Sequence, residues 1–197
     1  MKTVVVGMSG GVDSSVAVYL LQQAGYKVHG VHMLMIPDEF GPNPYAASDA
    51  ESVAKQFGIS FSVVDVREKF REIIIQQFAD EYSHGRTPNP CILCNKLFKF
   101  GFLADELQKF DANYISTGHY VNVTDCPNTL NLNCIKLFQK AADIKKDQSY
   151  FLAMVDPAVT AKCIFPLGGY TKDQVRELAR EIGIPVAEKK DSQEICF

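Results

Sequence analysis

The sequence lacks any run of 18 apolar residues, so no membrane-spanning helix is expected. It lacks a surplus of positive charge: 20 Lys and Arg stand against 23 Asp and Glu, a formal net of −3. That balance excludes a generally basic nucleic-acid coat, with no DNA partner expected, but leaves room for a local basic patch. Internal repeats and low-complexity segments are absent too. With 47% hydrophobic and 22% charged residues, disorder, collagen and coiled coil are excluded. The opening MKTVVVGMSGG has too short an apolar part, and reaches glycine too early, for a secretory leader. Without an export signal, the six cysteines are expected in a reducing cytoplasm. Thiols there are catalytic, metal-bound or buried more often than disulfide-bonded.

What is present is a chain of 197 residues, enough for one large domain or one domain with a small appendage. Apolar, β-branched runs at 3–6, 28–35, 61–66 and 114–117 read as strands. Helical spacing marks 12–24, 46–57, 68–82, 94–110, 148–154 and 171–182, while 36–45 and 84–90 are rich in turn residues. Residues 121–123 and 134–138 read as a hairpin whose tip is flanked by Cys126 and Cys134. The alternation predicts an α/β fold, doubly wound around a mainly parallel five-stranded sheet, with the hairpin and further helices following. A boundary is expected near residue 160, with 161–197 opening a helical central region. The run Ile195-Cys196-Phe197 is an odd close for a finished domain and suggests either a very compact protein or the front of a longer one.

Two segments carry chemistry. Gly7, Met8, Ser9, Gly10, Gly11, Val12, Asp13 and Ser14 lie between the first strand and the first helix, where open α/β sheets bind ligands. Glycines allow close backbone approach, serines add hydroxyls, and the helix N-terminus favours an anion. The Walker lysine is missing, and the G-x-G-x-x-G pattern is too. Such a loop suits pyrophosphate, with Asp13 placed to hold Mg²⁺ across the phosphates. The bland alternative is a capped strand–turn–helix. The second segment, GRTPNPCILCNK, sets Cys91 and Cys94 at an expected helix N-terminus, where the dipole would lower a thiol pKa. Arg86, Lys96 and Lys99 add positive potential. Cys196 is a third thiol. Cys163 reads as core, and His29 and His32 as polar groups on the rim of the second strand.

SGGVDSS after an N-terminal strand resembles the loop of the PP-loop ATP pyrophosphatases. GMSGGVDSS, GRTPNPCILCNK, STGHYV, KKDQSYFL, FPLGGYTKDQVRELA and DSQEICF, in that order, resemble the tRNA-specific 2-thiouridylases over nearly the whole chain. The resemblance implies a cytoplasmic transferase that uses ATP and Mg²⁺ to adenylate a wobble uridine of tRNA and then replaces its C2 oxygen with sulfur. It implies that Gly7 to Ser14 bind ATP together with Met33 and Gly118. Asn89, Pro90 and Cys91 would meet the target base, and His119, Lys146, Asp147 and Gln148 would meet tRNA. Apart from the resemblance, Lys136, Lys140, Lys145 and Lys146 read either as a local basic face for phosphate or simply as solvated surface. Cys94 would be the nucleophile and Cys196 would receive the sulfur as a persulfide, with a transient disulfide between them; a sulfur-donor protein or sulfide is the expected partner. Many family members carry Asp where Cys91 stands. Cys91, Cys94 and Cys196 therefore also present a possible ligand set for a [4Fe–4S] cluster, and with His84 or Cys126 for zinc. The family usually continues into a small central domain and a β-barrel. Another PP-loop ligase or amidotransferase, or an ATP-binding module without activity, remain the alternatives.

Overall fold

The computed structural model describes residues 1–40, 47–125, 136–190 and 196–197. Strands β1 (Thr3–Gly7), β2 (Lys27–Leu34), β3 (Ser60–Asp65), β4 (Tyr114–Thr117) and β7 (Cys163–Ile164) form one parallel sheet in the order β3-β2-β1-β4-β7. This is the expected five-stranded α/β sheet. Its fifth strand is a two-residue piece around Cys163 for which the sequence predicts only core. Strands β5 (Asn122–Asp125) and β6 (Lys136–Gln139) pair antiparallel as a separate ribbon. Cys126 and Cys134 lie outside the described residues.

Chain order runs outward from β1 in both directions, so the loops after β1 and β4 diverge at the carboxyl edge and leave a crevice between them. Alternate side chains of β1 face opposite cores, as the two-residue period of a strand requires. Val4 and Val6 pack with α1 (Val12–Gln23), α2 (Ala47–Gln56) and α8 (Lys172–Glu181). Val5 packs on the other face with Phe70, Ile74, Cys94, Phe98 and Phe100. Those residues belong to two long helical runs. One joins α3 (Arg67–Phe70), a π-helical segment (Arg71–Ile75) and α4 (Gln76–Ser83). The other joins α5 (Pro90–Cys94), a π-helical segment (Asn95–Phe102) and α6 (Leu103–Lys109). The second run starts earlier than its apolar spacing predicts. Asn89 caps it by accepting the Cys91 N–H, and Pro90 occupies the first helical position. The helix expected over 148–154 is a short 3₁₀ turn, Ser149–Leu152, followed by α7 (Pro157–Thr160). Beyond residue 160, β7 joins the main sheet and α8 packs on α1. Among the described residues no helix is long and apolar enough to cross a membrane.

Candidate active site

The loop after β1 is held from within. The Met8 amide donates to the Val31 carbonyl at 2.8 Å, and buried His32 donates from Nδ1 to the Met8 carbonyl at 2.8 Å. Gly10 takes φ 74°, a conformation that glycine adopts without strain. Ser14 Oγ accepts the Ser9 amide at 3.3 Å and donates to the Gly11 carbonyl at 3.2 Å, while Ser15 Oγ donates to the same carbonyl at 2.8 Å. These serines shape the loop, and the first-turn amides of α1 are the groups on it that could receive an anion. Gly118, at the end of β4, abuts those amides: a Cβ built there would sit 2.6 Å from the Ser14 nitrogen. Met33 is buried near the end of β2.

Two lysines that the sequence reading missed complete this edge. Lys172, first residue of α8, places Nζ 2.7 and 2.8 Å from the two carboxylate oxygens of Asp13, and the Tyr120 hydroxyl donates to Asp13 at 2.8 Å. Its side chain is only 9% exposed. Lys189 donates to the Gly10 carbonyl at 3.3 Å and pairs with Asp49 at 2.6 Å. The loop carries no lysine of its own, but the fold delivers two from far along the chain. Asp13, expected to hold Mg²⁺, is a lysine-holding carboxylate in this arrangement. A cation bound there would take the place of the Lys172 ammonium.

The thiols gather on the second core. Cys94 is 6% exposed, and Cys196 and Phe197 pack against the same cluster. Burial pushes the Cys94 thiol up to about 11, against a downward pull from Lys99 and small upward contributions from Cys196 and Cys91. Burial also raises Cys196, again opposed by Lys99. The expected lowering by a helix dipole is therefore corrected for Cys94. That residue ends α5, and it is Cys91 that sits at the helix start beside the Asn89 cap. Arg86 is paired with Glu81, which ties up its charge. Cys91, Cys94, Cys163 and Cys196 are all free thiols. Among the described residues no three His, Cys, Asp or Glu side chains are arranged to hold a metal ion. The donor set thus does not fit the iron–sulfur or zinc alternatives. His84 instead donates to the Asp80 carbonyl at 2.7 Å. Cys163 is core, as expected. It donates to the Val159 carbonyl at 3.3 Å, and burial raises it to about 12.

Several expected contact residues turn inward. His119 is 6% exposed, bonded to Thr117 Oγ1 at 2.7 Å and packed on the Phe100 ring. Desolvation holds it neutral, well below the usual histidine range. The imidazole, expected to meet tRNA, lies inside the second core. Asp147 accepts from the Ala141 and Ser149 amides and the Ser149 hydroxyl, and Gln148 Oε1 accepts the Tyr120 amide at 3.1 Å. Asp147 thus braces its own loop, and Gln148 ties that loop to the segment after β4. Lys146 is half-exposed, and Lys140 and Lys145 are exposed. The group this segment does present is Tyr150, 53% exposed, its ring centroid 3.9 Å from that of Phe151 at a tilt of 35°, on a 3₁₀ turn that packs against α5, the helix of Cys91. His29 is not on a rim either; it lies between the Ser60 and Ser62 hydroxyls and stacks on Phe110 at 3.6 Å.

A chain of contacts links the two centres. Tyr120 bonds Asp13 through its hydroxyl and Gln148 through its backbone, and Tyr150, two residues beyond Gln148, lies on the turn that packs against α5, where Cys91 sits. Lys99 acts on His119, Cys94 and Cys196 together. Asn89, Pro90 and Cys91 stand at the open start of α5, on the thiol side of this chain.

A family model described as tRNA methyl transferase HUP domain matches residues 2–197. Relatives include the tRNA-specific 2-thiouridylase MnmA 1 of Caldanaerobacter subterraneus, 45% identical over 98% of this chain and 55% of its own length. Another is MnmA of Clostridium acetobutylicum, 44% identical over 100% of this chain and 56% of its own. The chain thus spans about half the length of the curated relatives it matches. Among solved structures, a 4-thiouridine synthetase in an RNA complex with bound ATP aligns with a TM-score of 0.62 at 18% identity. That alignment covers 100% of this chain and 45% of the synthetase. The U34-tRNA thiolase NcsA of Methanococcus maripaludis, solved with its [4Fe–4S] cluster, aligns at 0.56 and 18% identity over 100% of this chain and 61% of NcsA. At that identity these two establish the fold alone.

Proposed function

The chain belongs to that HUP-domain family, and on this premise we propose that it is the catalytic part of an ATP-dependent tRNA uridine 2-thiolase. The observation that carries the reading is the packing of Cys94 and Cys196 into one core, with Cys91 one turn before Cys94, while Tyr120 bonds both Gln148 and Asp13 of the glycine loop. Methyl transfer, the word in the family's description, needs neither a phosphate nest nor paired thiols. The names of the two relatives above point to sulfur.

In this reading the α1 amides and the lysine-bearing edge receive the ATP phosphates. The uridine O2 attacks the α-phosphorus, pyrophosphate leaves, and the C2–O bond gains an AMP leaving group. The base must leave its stack to reach the site, where the Tyr150 ring and the Asn89-Pro90-Cys91 turn stand at the mouth. Cys196 carries a persulfide, either passed on from a donor protein's own persulfide or formed when sulfide attacks Cys196 in the Cys94–Cys196 disulfide and expels the Cys94 thiolate; its outer sulfur attacks C2 and AMP departs. Cys94 then attacks the inner sulfur of Cys196. The S–S electron pair goes to the uridine sulfur, giving 2-thiouridine and a Cys94–Cys196 disulfide, which an external thiol reduces with two electrons. Residues up to 160 supply the nest and two thiols, and residues 161–197 supply Lys172, Lys189 and Cys196.

The test is incubation of the chain, alone and within its longer natural protein if one exists, with ATP, Mg²⁺, sulfide and tRNA, followed by mass analysis of nucleosides. Sulfur-for-oxygen exchange at uridine with release of AMP is expected. An added methyl group would overturn the reading. AMP release with ammonia incorporation would favour a ligase or amidotransferase, and ATP binding without product from either form would favour an inactive module.

A further inference from the structure

Cys196 needs something to hold it in range of Cys94, because a thiol that wanders exchanges slowly with its partner. The neighbouring Phe197 is the most heavily engaged ring of this region. It meets Phe40, Phe70 and Phe78 at centroid distances of 6.4, 5.9 and 5.4 Å, with interplanar angles of 74°, 76° and 90°. All three are edge-to-face contacts, the arrangement favoured by ring quadrupoles.

The cage is tied to Cys94. Phe70, fully buried, makes a further edge contact with Phe98 at 5.4 Å, and Phe98 lies one turn beyond Cys94 on the same helical run. The rings Phe197, Phe70 and Phe98 thus form a relay from the residue beside Cys196 to the helix that bears Cys94. The outer wall is also held. Arg67 bonds Asp38 at 2.8 and 2.9 Å, and Arg71 pairs with Glu39, fixing the short turn Asp38–Phe40 that offers the Phe40 ring.

We propose that Phe197 is a positioning residue, an aromatic anchor that keeps Cys196 within reach of Cys94. Its use in sulfur transfer rests on the function proposed above, but the geometry is testable without RNA or ATP.

The experiment is the thiol–disulfide equilibrium of the Cys91→Ser chain in glutathione buffers. Two protein thiols and glutathione disulfide give one protein disulfide and two glutathione thiols, so two electrons pass to glutathione and each of its sulfurs takes up a proton. Peptide mapping identifies the Cys94–Cys196 bond. Phe197→Ala is expected to lower the equilibrium constant about tenfold or more, while Phe197→Tyr, which keeps the ring, stays within about threefold. Phe78→Ala, which opens the cage from the opposite side, should shift it the same way. Circular dichroism melts confirm that each variant is folded. A folded Phe197→Ala chain with an unchanged constant overturns the proposal, and so does a Tyr variant that fails as badly as Ala. A chain that makes no 2-thiouridine yet loses this constant on Phe197→Ala upholds the anchor and overturns only the function.

Discussion

Gly118→Ala tests whether the end of β4 and the start of α1 form one nucleotide-binding edge. The added methyl carbon would lie 2.6 Å from the Ser14 nitrogen, 2.8 Å from the Asp13 carbonyl carbon and 3.0 Å from the Asp13 Cβ. Ordinary contact is about 3.5 Å, so the two segments must part by about an ångström. The nearest atoms are backbone, not the tip of a flexible side chain. The helix behind them has no room to retreat, because Ser15 and Val16 are fully buried. Gly118 has no positive φ, so the effect is steric and not conformational. Overpacking of this kind costs about 1–3 kcal/mol. For a chain of this size each kcal/mol is worth about 2–4 °C, giving a fall of about 2–12 °C in Tm. The displaced atoms belong to the amides proposed to receive phosphate, so ATP affinity should fall at least about tenfold by calorimetry. The ATP-induced rise in Tm should shrink accordingly. Gly169→Ala is the control: nothing lies within 4 Å of its Cβ position, and both Tm and ATP binding should hold. A Gly118→Ala chain that melts and binds ATP like the parent would refute the assembly of the site from these two strand ends.

Lys172→Met removes one partner of a pair whose lysine is buried and whose aspartate is about one-third exposed, so a loss of about 1–3 kcal/mol is expected, less than for a fully buried pair. Adding Asp13→Asn should restore most of the melting temperature but not ATP binding; restoration of both would show the pair to be structural only. Iodoacetamide at pH 8 should modify Cys91 ahead of Cys94 and Cys163, whose thiols burial holds protonated up to about 11 and about 12, and mass mapping showing Cys94 first would contradict that. Because Cys94 is raised from 9.0 when folded, its contribution to stability is intact below pH 9 and is lost as pH climbs towards 11. Denaturant melts should therefore fall more steeply over that window in the parent than in Cys94→Ala.

What could be read from the chain was what lies close together along it. Gly7 to Ser14 needed only a strand, two glycines and a helix start, all within one local pattern, and the thiol pair at Cys91 and Cys94 was likewise contiguous. What escaped depended on distant segments. Lys172 and Lys189 reach the loop across 159 and 179 residues, and although Lys172 lies within a segment that carries the family resemblance, no local pattern shows that either lysine meets the loop. Strand β7 is two residues long, too short for a two-residue period to declare itself. The ionisation of Cys94 was misjudged for a related reason. A motif shows which thiol precedes a helix, but only the packing of Phe98, Phe100 and Leu103 around the second core shows which one loses water. His119 and Gln148 follow the same logic. A polar residue in a motif suggests a ligand, and in the fold its partner is Thr117 or the Tyr120 amide. Burial therefore divides the motif residues into two kinds: those that build the site's walls, and the few that keep an open face, such as Cys91 and Tyr150. On the function proposed above, base contact falls to the second kind, and substitutions of the first kind should lower stability and activity together.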